Sequence, residues 1–489
     1  MTHSLLRLKA LLASVGLISL LFACTEVSEN QGPGTASAKP GSPADVTPRY
    51  VFLISLDTVA AQYCSVYGYE KPTTPFLEEL GESSAVFNRH VVNSNNTLIS
   101  HSSIMTGMLS EAHDTYDYGF KQRHRLAGEY VTLAERFQDA GFATAGFATH
   151  AQWLTKQFGI AQGFDHFESV WRAAIGNAKA FLKWFDERNP DRAFVFLHFF
   201  DAHSDKSKPG SEAYEASPKL VQQFAGARPE DYTGSATDRE GNVFYGSKAL
   251  TVLSAEHHII PAEHLAYLRG TYDAGLAQLD TFLRRLFLEL DKRGILDESL
   301  IVITSDHGEE FKQHTGMLHY QYYDEVMHVP LIIKLPNGKL PARSRVDELT
   351  RSIDLAPTIL ELSGLEQIPL AQGRSFASTL LNGDSIPYAD ILFQSGILQS
   401  KDEEGEFKFV WRNEHSRFYD LDSDPGETKN IYDSISPERQ RQAKERLDEL
   451  RAESQAIRAA ISANRDNEPE MSAEDLEELQ GLGYLGDDE

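Results

Sequence analysis

Three uninterrupted apolar runs, each ending in residues that bind metals, constrain this chain more than any other feature. The first runs from Arg49 to Ser55 and ends at Leu56-Asp57-Thr58. The second, Ala193 to Phe200, ends at Asp201-Ala202-His203, and the third, Leu300 to Thr304, ends at Ser305-Asp306-His307-Gly308-Glu309. Apolar runs without alternation are the pattern of strands covered on both faces. Helical patterns lie between them, over Val131–Ala140, Ala178–Glu187 and Glu263–Lys292, so the predicted fold class is α/β with a large, mostly parallel sheet. Such sheets bind ligands beyond the carboxyl ends of their strands. A lone Asp after a strand is commonly just a helix cap. Asp306-His307-Gly308 is a stronger signal, because it pairs a hard oxygen with an imidazole and then lets the chain turn away.

A fourth segment, Asn93 to Gly107, carries Thr97-Leu98-Ile99-Ser100-His101. The pattern predicts a short helix starting near Ser100 and stopping at Gly107. Thr97 would then sit where the free N–H groups of a first turn attract an anion. Read alone, Thr97 and Ser100 are N-cap residues.

Composition excludes several function classes. The 489 residues carry a net charge of −26, which opposes nucleic-acid binding. Residues 401–489 hold 25 acidic and 12 basic side chains, the pattern of a solvated, helix-rich C-terminal region. An anionic substrate would therefore need local positive charge from a cation. Two cysteines rule out a disulfide framework. Arg7 and Lys9, the apolar run Ala10–Phe22 and Leu21-Phe22-Ala23-Cys24 read as a secretory signal over residues 1–23. Residues 24–48 form a Gly/Pro/Ser-rich tether. Cys64, the remaining cysteine, is expected to be a buried structural thiol.

The N-terminal segment resembles a bacterial lipobox, which implies lipidation at Cys24 and a secreted, membrane-anchored protein. Thr25 after the cysteine implies the periplasmic face of the outer membrane of a Gram-negative cell. From Tyr50 onward the chain resembles the sulfatase-like branch of the alkaline phosphatase superfamily. The carriers are Leu56-Asp57-Thr58, Tyr67-Gly68-Tyr69, Thr97 to Gly107, Gly163-Phe164-Asp165, Phe200 to His203, Ser305 to Glu310 and Val329-Pro330-Leu331. Further carriers are Ile353 to Thr358, Tyr419 to Glu427 and Leu482-Gly483-Tyr484-Leu485. The resemblance implies an alkaline-phosphatase-like sheet sandwiched by helices, as a catalytic domain over 49–346. Residues 347–489 would be a smaller C-terminal subdomain with a short antiparallel sheet and a helix. Asp57, Asp306 and His307 become ligands of one divalent cation (Ca, Mg, Mn or Zn). Thr97 becomes the nucleophile and a further ligand, and His203 and His319 contact the transferred anion or the leaving oxygen. His314 lies in the same loop. A second cation is the alternative use of Asp201, His203, Asp205 and His319.

The departures from that pattern narrow the chemistry. Sulfatases proper carry Cys or Ser in a Cys-x-Pro-Ser-Arg type motif that is oxidised to formylglycine, whereas this chain has Thr97, Ile99 and His101 in the corresponding places. Threonine cannot be converted by that route, and a threonine nucleophile looks like the phospho-transferring relatives. The first expectation is thus a hydrolase of phosphate mono- or diesters or phosphonate esters, acting on an anionic small-molecule, glycan or lipid ester. A sulfuric ester hydrolase without formylglycine, a phospho-group transferase to a glycan or lipid, and a non-catalytic binding lipoprotein are the alternatives. His198, inside an apolar run, reads as a core histidine, and the four tryptophans are too scattered to predict a sugar platform.

Overall fold

The computed structural model describes residues 47–117, 123–149, 153–204, 212–255, 259–394 and 396–462. The leader, Cys24, nearly all of the tether, Asp205 and the Leu482–Leu485 motif lie outside the described residues.

Eight strands build the main sheet: β1 Tyr50–Leu56, β2 Ala85–Phe87, β3 Ala143–Ala148, β4 His166–Ser169, β5 Ala193–Phe199, β6 Ser299–Thr304, β7 Leu331–Lys334 and β8 Arg345–Val346. Their spatial order is β8-β2-β7-β6-β1-β5-β3-β4. Pairing is parallel throughout except on the two sides of β7. The three apolar runs are the central strands. Their register pairs Tyr50 with both Ser299 and Ala193, and Ser55 with both Thr304 and His198. That alignment brings the carboxyl ends of β6, β1 and β5 to one level.

The principal helices are α1 Pro75–Gly81, α2 Thr97–Thr106, α3 Leu133–Asp139, α4 Ala174–Arg188, α5 Ala262–Lys292, α6 Leu355–Leu362 and α7 Pro437–Ser462. They cover both faces of the sheet, which explains the missing alternation. Phe52, Ile54, Val195, Leu197, Ile301 and Ile303 pack with Leu77 of α1, Phe181 of α4 and Leu279 of α5. Val51, Leu53, Phe194, Phe196, Leu300 and Val302 pack with Leu98 of α2, Phe137 of α3 and Ile359 of α6. Each large apolar side chain so buried contributes about 1.5–3 kcal/mol relative to exposure.

Toward the C-terminus, β9 Ile391–Phe393, β10 Ile397–Asp402, β11 Gly405–Val410 and β12 Arg417–Asp420 form an antiparallel sheet in chain order. Leu398, Phe409 and Phe418 pack against Leu447 and Leu450 of α7. Ile391, Phe393 and Ile397 pack against Val91, Val92 and Val326. The fold is thus the predicted α/β sheet with helices plus a small antiparallel sheet and helix. The apolar pattern of strand β10 is interrupted by its Gln-Ser-Lys-Asp end. Among the described residues, no helix is long and apolar enough to cross a membrane.

Candidate metal centre and active site

Asp57 lies one residue beyond β1, and its N–H donates to the carbonyl of Phe199 at the end of β5 (2.9 Å). The next residue, Thr58, has φ 60°, a strained conformation for a β-branched residue. The turn points the Thr58 N–H at Asp306 Oδ1 (3.4 Å), and the Tyr272 hydroxyl donates to the Thr58 carbonyl (2.7 Å). Ser305 ties the two strand ends together. Its hydroxyl lies against the carbonyls of Leu56 and His307 and accepts from the Val59 N–H (3.1 Å).

Asp57, Asp306 and His307 are fully buried and converge. His307 Nε2 lies 3.9 Å from Asp57 Oδ1, 3.6 Å from Asp306 Oδ2 and 3.5 Å from Thr97 Oγ1. His307 Nδ1 faces the Gly308 carbonyl at 3.1 Å, which can only accept, so the ring proton sits on Nδ1. Nε2 faces the two carboxylates. Asp57 Oδ1 and Asp306 Oδ2 have no hydrogen-bond partner. Burial, reinforced by the neighbouring Asp306 charge, pushes the Asp57 carboxyl well above the usual range. Asp306 falls to about 2, because imidazoles led by His307 outweigh the opposing effect of burial. Two unpartnered hard oxygens, one imidazole nitrogen and a hydroxyl, all inside the protein, fit a divalent cation.

Helix α2 presents Thr97 to this centre. The helix begins at Thr97 rather than near Ser100, since Asn96 is its cap: the Asn96 Oδ1 accepts from the N–H groups of Leu98 (3.1 Å) and Ile99 (3.3 Å). Those two donors are consequently not free for an anion, contrary to the expectation from sequence. All ten residues of α2 are buried, and Ser100 Oγ donates to the Asp306 carbonyl (2.7 Å). At the other end Gly107 adopts φ 66° and stops the helix.

A layer of histidines supports the ligands from below. The β5 positions Phe194 and Phe196 face α2, and His198 continues the same face. Its Nε2 donates to Asp57 Oδ2 at 3.0 Å. His101 of α2 meets the Thr97 carbonyl through Nδ1 (2.7 Å) and Ser55 Oγ through Nε2 (2.9 Å). Burial pushes both imidazoles down to about 4, so each is neutral near pH 7 and carries one proton. His198 is therefore a positioning residue, where sequence reasoning saw only core; strand parity alone could have pointed to it.

His319 and His203 stand beside the centre. The His319 ring lies 4.4 Å from that of His307, and the His203 ring 5.3 Å from that of His319. Leu318, at φ 68°, turns the chain immediately before His319. His319 Nδ1 donates to Glu309 Oε2 (2.9 Å), while Glu309 Oε1 accepts from the Tyr214 hydroxyl. Glu309 was legible only as part of the Asp-His-Gly-Glu motif; its role as the carboxylate behind His319 comes from the fold. Burial, then the nearby His319, holds His203 well below the ordinary imidazole range.

The remaining expected residues are placed differently. Asp201 Oδ2 accepts from the Ala174 N–H (2.6 Å) and so caps α4, which begins four residues before the predicted start. Among the described residues, the groups able to hold an ion include neither Asp201, His203 nor His319. His314 faces the carbonyls of Gly426 (3.1 Å) and Glu427 (3.2 Å) and stacks on Tyr323. Cys64 is buried, as expected.

Comparison with known proteins gives a consistent result. Residues 49–365 match the Sulfatase family. A multifunctional alkaline phosphatase superfamily protein, PehA, from Trinickia caryophylli is 29% identical over 214 residues, 40% of each chain, so the chain spans well under two thirds of that relative. Phosphonate monoester hydrolase of Agrobacterium radiobacter superposes with a TM-score of 0.64 at 20% identity, covering 83% of this chain and 96% of the other. A 2-O GAG sulfatase superposes with a TM-score of 0.60 at 18% identity, covering 86% and 95%. At these identities the superpositions show a shared fold.

Proposed function

Since the chain belongs to the sulfatase family of ester hydrolases, we propose that it cleaves phosphate mono- or diesters, or phosphonate esters, through a covalent intermediate on Thr97. The observation that carries this reading is Thr97 Oγ1 beside His307 Nε2, at the mouth of a buried and unsatisfied Asp57–Asp306 pair. Asp57, Asp306 and His307 would hold one divalent cation, with Thr97 completing the set. When bound, the cation supplies Lewis acidity and neutralises the charge of the anionic group. The Thr97 oxygen, fixed at the start of a buried helix, bonds to the phosphorus as the bond to the leaving oxygen breaks, and its hydroxyl proton passes to water. His319, oriented by Glu309 at Nδ1, presents Nε2 to give a proton to the leaving oxygen, with His203 alongside. Water then releases the anion and restores the Thr97 hydroxyl.

A second reading has its own support. The likeness to a GAG sulfatase favours a sulfuric ester substrate, hydrolysed without formylglycine. Turnover of nitrophenyl phosphate, bis-nitrophenyl phosphate, nitrophenyl phenylphosphonate and nitrophenyl sulfate separates the two. Preferred hydrolysis of the sulfate overturns the first reading, and an absolute need for an acceptor alcohol would make the protein a transferase. Lipidation at Cys24 and an outer-membrane location follow from the leader motif. Failure of Cys24→Ser to release the protein from the membrane fraction would remove that part.

A further inference from the structure

A β-branched residue at φ 60°, Thr58, stands directly after the ligand Asp57, in a region of backbone space that glycine normally fills. Strain of this kind persists only where the surroundings enforce it. The Thr58 side chain does not supply that support from outside the turn, because its Oγ1 donates to the adjoining Asp57 carbonyl (2.7 Å).

The turn governs both carboxylates of the centre. It starts where the Asp57 N–H meets the Phe199 carbonyl (2.9 Å), and it aims the Thr58 N–H at Asp306 Oδ1 (3.4 Å). The unpartnered Asp57 Oδ1 and Asp306 Oδ2 therefore keep the spacing that the Thr58 conformation gives them. A relaxed turn would move Asp57 relative to Asp306 even with β1 and β6 unchanged.

Tyr272 of α5 reaches this turn from 214 residues away. Its phenol oxygen accepts from the Ala60 N–H (3.1 Å) and donates to the Thr58 carbonyl (2.7 Å), so one atom grips the turn at two points. The Tyr272 side chain is fully buried, and its ring is wedged between Tyr63 (5.5 Å), Tyr214 (5.5 Å) and Phe311 (5.2 Å). Burial pushes the phenol well above its ordinary range, so the donated proton is always present. On the opposite side the chain after His307 leaves no slack: a Cβ on Gly308 would lie 2.9 Å from the Ala60 Cβ.

We infer that Tyr272 is a positioning residue of the metal centre, whose hydroxyl holds the strained Thr58 turn and so sets Asp57 against Asp306 for the cation. The inference rests on the cation site read above from Asp57, Asp306 and His307. Its route differs from that of His198, which bonds the Asp57 carboxylate itself. Tyr272 acts through the backbone of the turn.

The test uses the full-length protein after chelator treatment, titrated calorimetrically with Ca²⁺, Mg²⁺, Mn²⁺ and Zn²⁺. The tightest-binding cation is then compared across wild type, Tyr272→Phe, Thr58→Gly, the double variant and Tyr63→Phe. Tyr272→Phe should raise Kd about tenfold or more. Glycine adopts φ 60° without strain, so in the Thr58→Gly background the same change should raise Kd less than about threefold. Tyr63 belongs to the same aromatic cluster, but its hydroxyl accepts from the Gln313 amide. Tyr63→Phe should therefore lower Tm at most and leave Kd where it was. An unchanged Kd in Tyr272→Phe, an equal rise in Tyr63→Phe, or the full rise in the glycine background would each overturn the inference. Should Tyr272→Phe not fold, the double variant decides: folding with the affinity of Thr58→Gly supports the role, and failure to fold overturns it. If the wild type binds none of the four cations, the cation site falls and the role of Tyr272 with it. Binding that is indifferent to Tyr272→Phe removes that role alone.

Discussion

Thr97 and His198 illustrate two ways in which a residue can belong to this site. In the proposed mechanism Thr97 contributes a reacting atom. Thr97→Ala should lower turnover at least about a thousandfold, while metal binding measured by plasma spectrometry stays partly intact. Turnover equal to wild type would end the nucleophile assignment. His198 acts through Asp57, donating to the carboxylate oxygen opposite the unpartnered one. His198→Ala should weaken divalent-cation affinity about 10- to 100-fold, read by titration of the chelator-treated protein, with a restored maximal rate at saturating metal. A purely structural histidine would lower Tm without moving the metal curve.

Helix α2 and the ribbon that follows the Asp-His-Gly motif set the position of groups around the site. In α2 the Asn96 cap sets where the helix begins and hence where Thr97 stands. Asn96→Ala should cost about 1 kcal/mol of stability and reduce kcat more than KM, because the nucleophile frays with the first turn. In the ribbon of Glu310–Phe311 and Met317–Leu318, Glu310 is buried with both carboxylate oxygens unpartnered. Burial, then repulsion from Glu325, pushes its carboxyl up to about 8. Between the ordinary glutamate range and about pH 8 the folded protein holds a proton that the unfolded chain has lost, so stability falls as pH rises through that window. Glu310→Gln should abolish that slope and raise stability at pH 8 by about 1–3 kcal/mol, seen in denaturant titrations at several pH values. An unchanged slope would show that Glu310 is ionised throughout.

For the whole molecule, the consequence of joining three strand ends at one centre is that metal binding and folding are coupled. The Asp57–Asp306 pair is unfavourable without a cation, and the unfolded chain has no comparable site. A hundredfold excess of free metal over its Kd should add about 2.7 kcal/mol of stability. Chelation should accordingly lower Tm, and a divalent cation should restore it; a Tm indifferent to both would argue that the pair is satisfied by protons alone. The net charge of −26 is compatible with an anionic substrate on the same grounds, since a bound cation would set the local field rather than the surface.

The class of sheet and the strand ends at Asp57 and Asp306-His307 were legible in the amino-acid order, and the family resemblance set Thr97 beside them. The reason is that burial on both faces leaves a local signature, an unbroken apolar run with a sharp polar end. Partnerships made at long range leave none. His198 meets Asp57 across 141 residues, and Asp201 turned out to cap α4. Glu309 and Tyr214 stand behind His319, through the register of parallel strands and the turns at Thr58 and Leu318. The sequence by itself determined which residues stand at the strand ends. Only the tertiary structure decided what each of them faces, because a side chain's partners are set by strand register and helix docking, which no single stretch of chain contains.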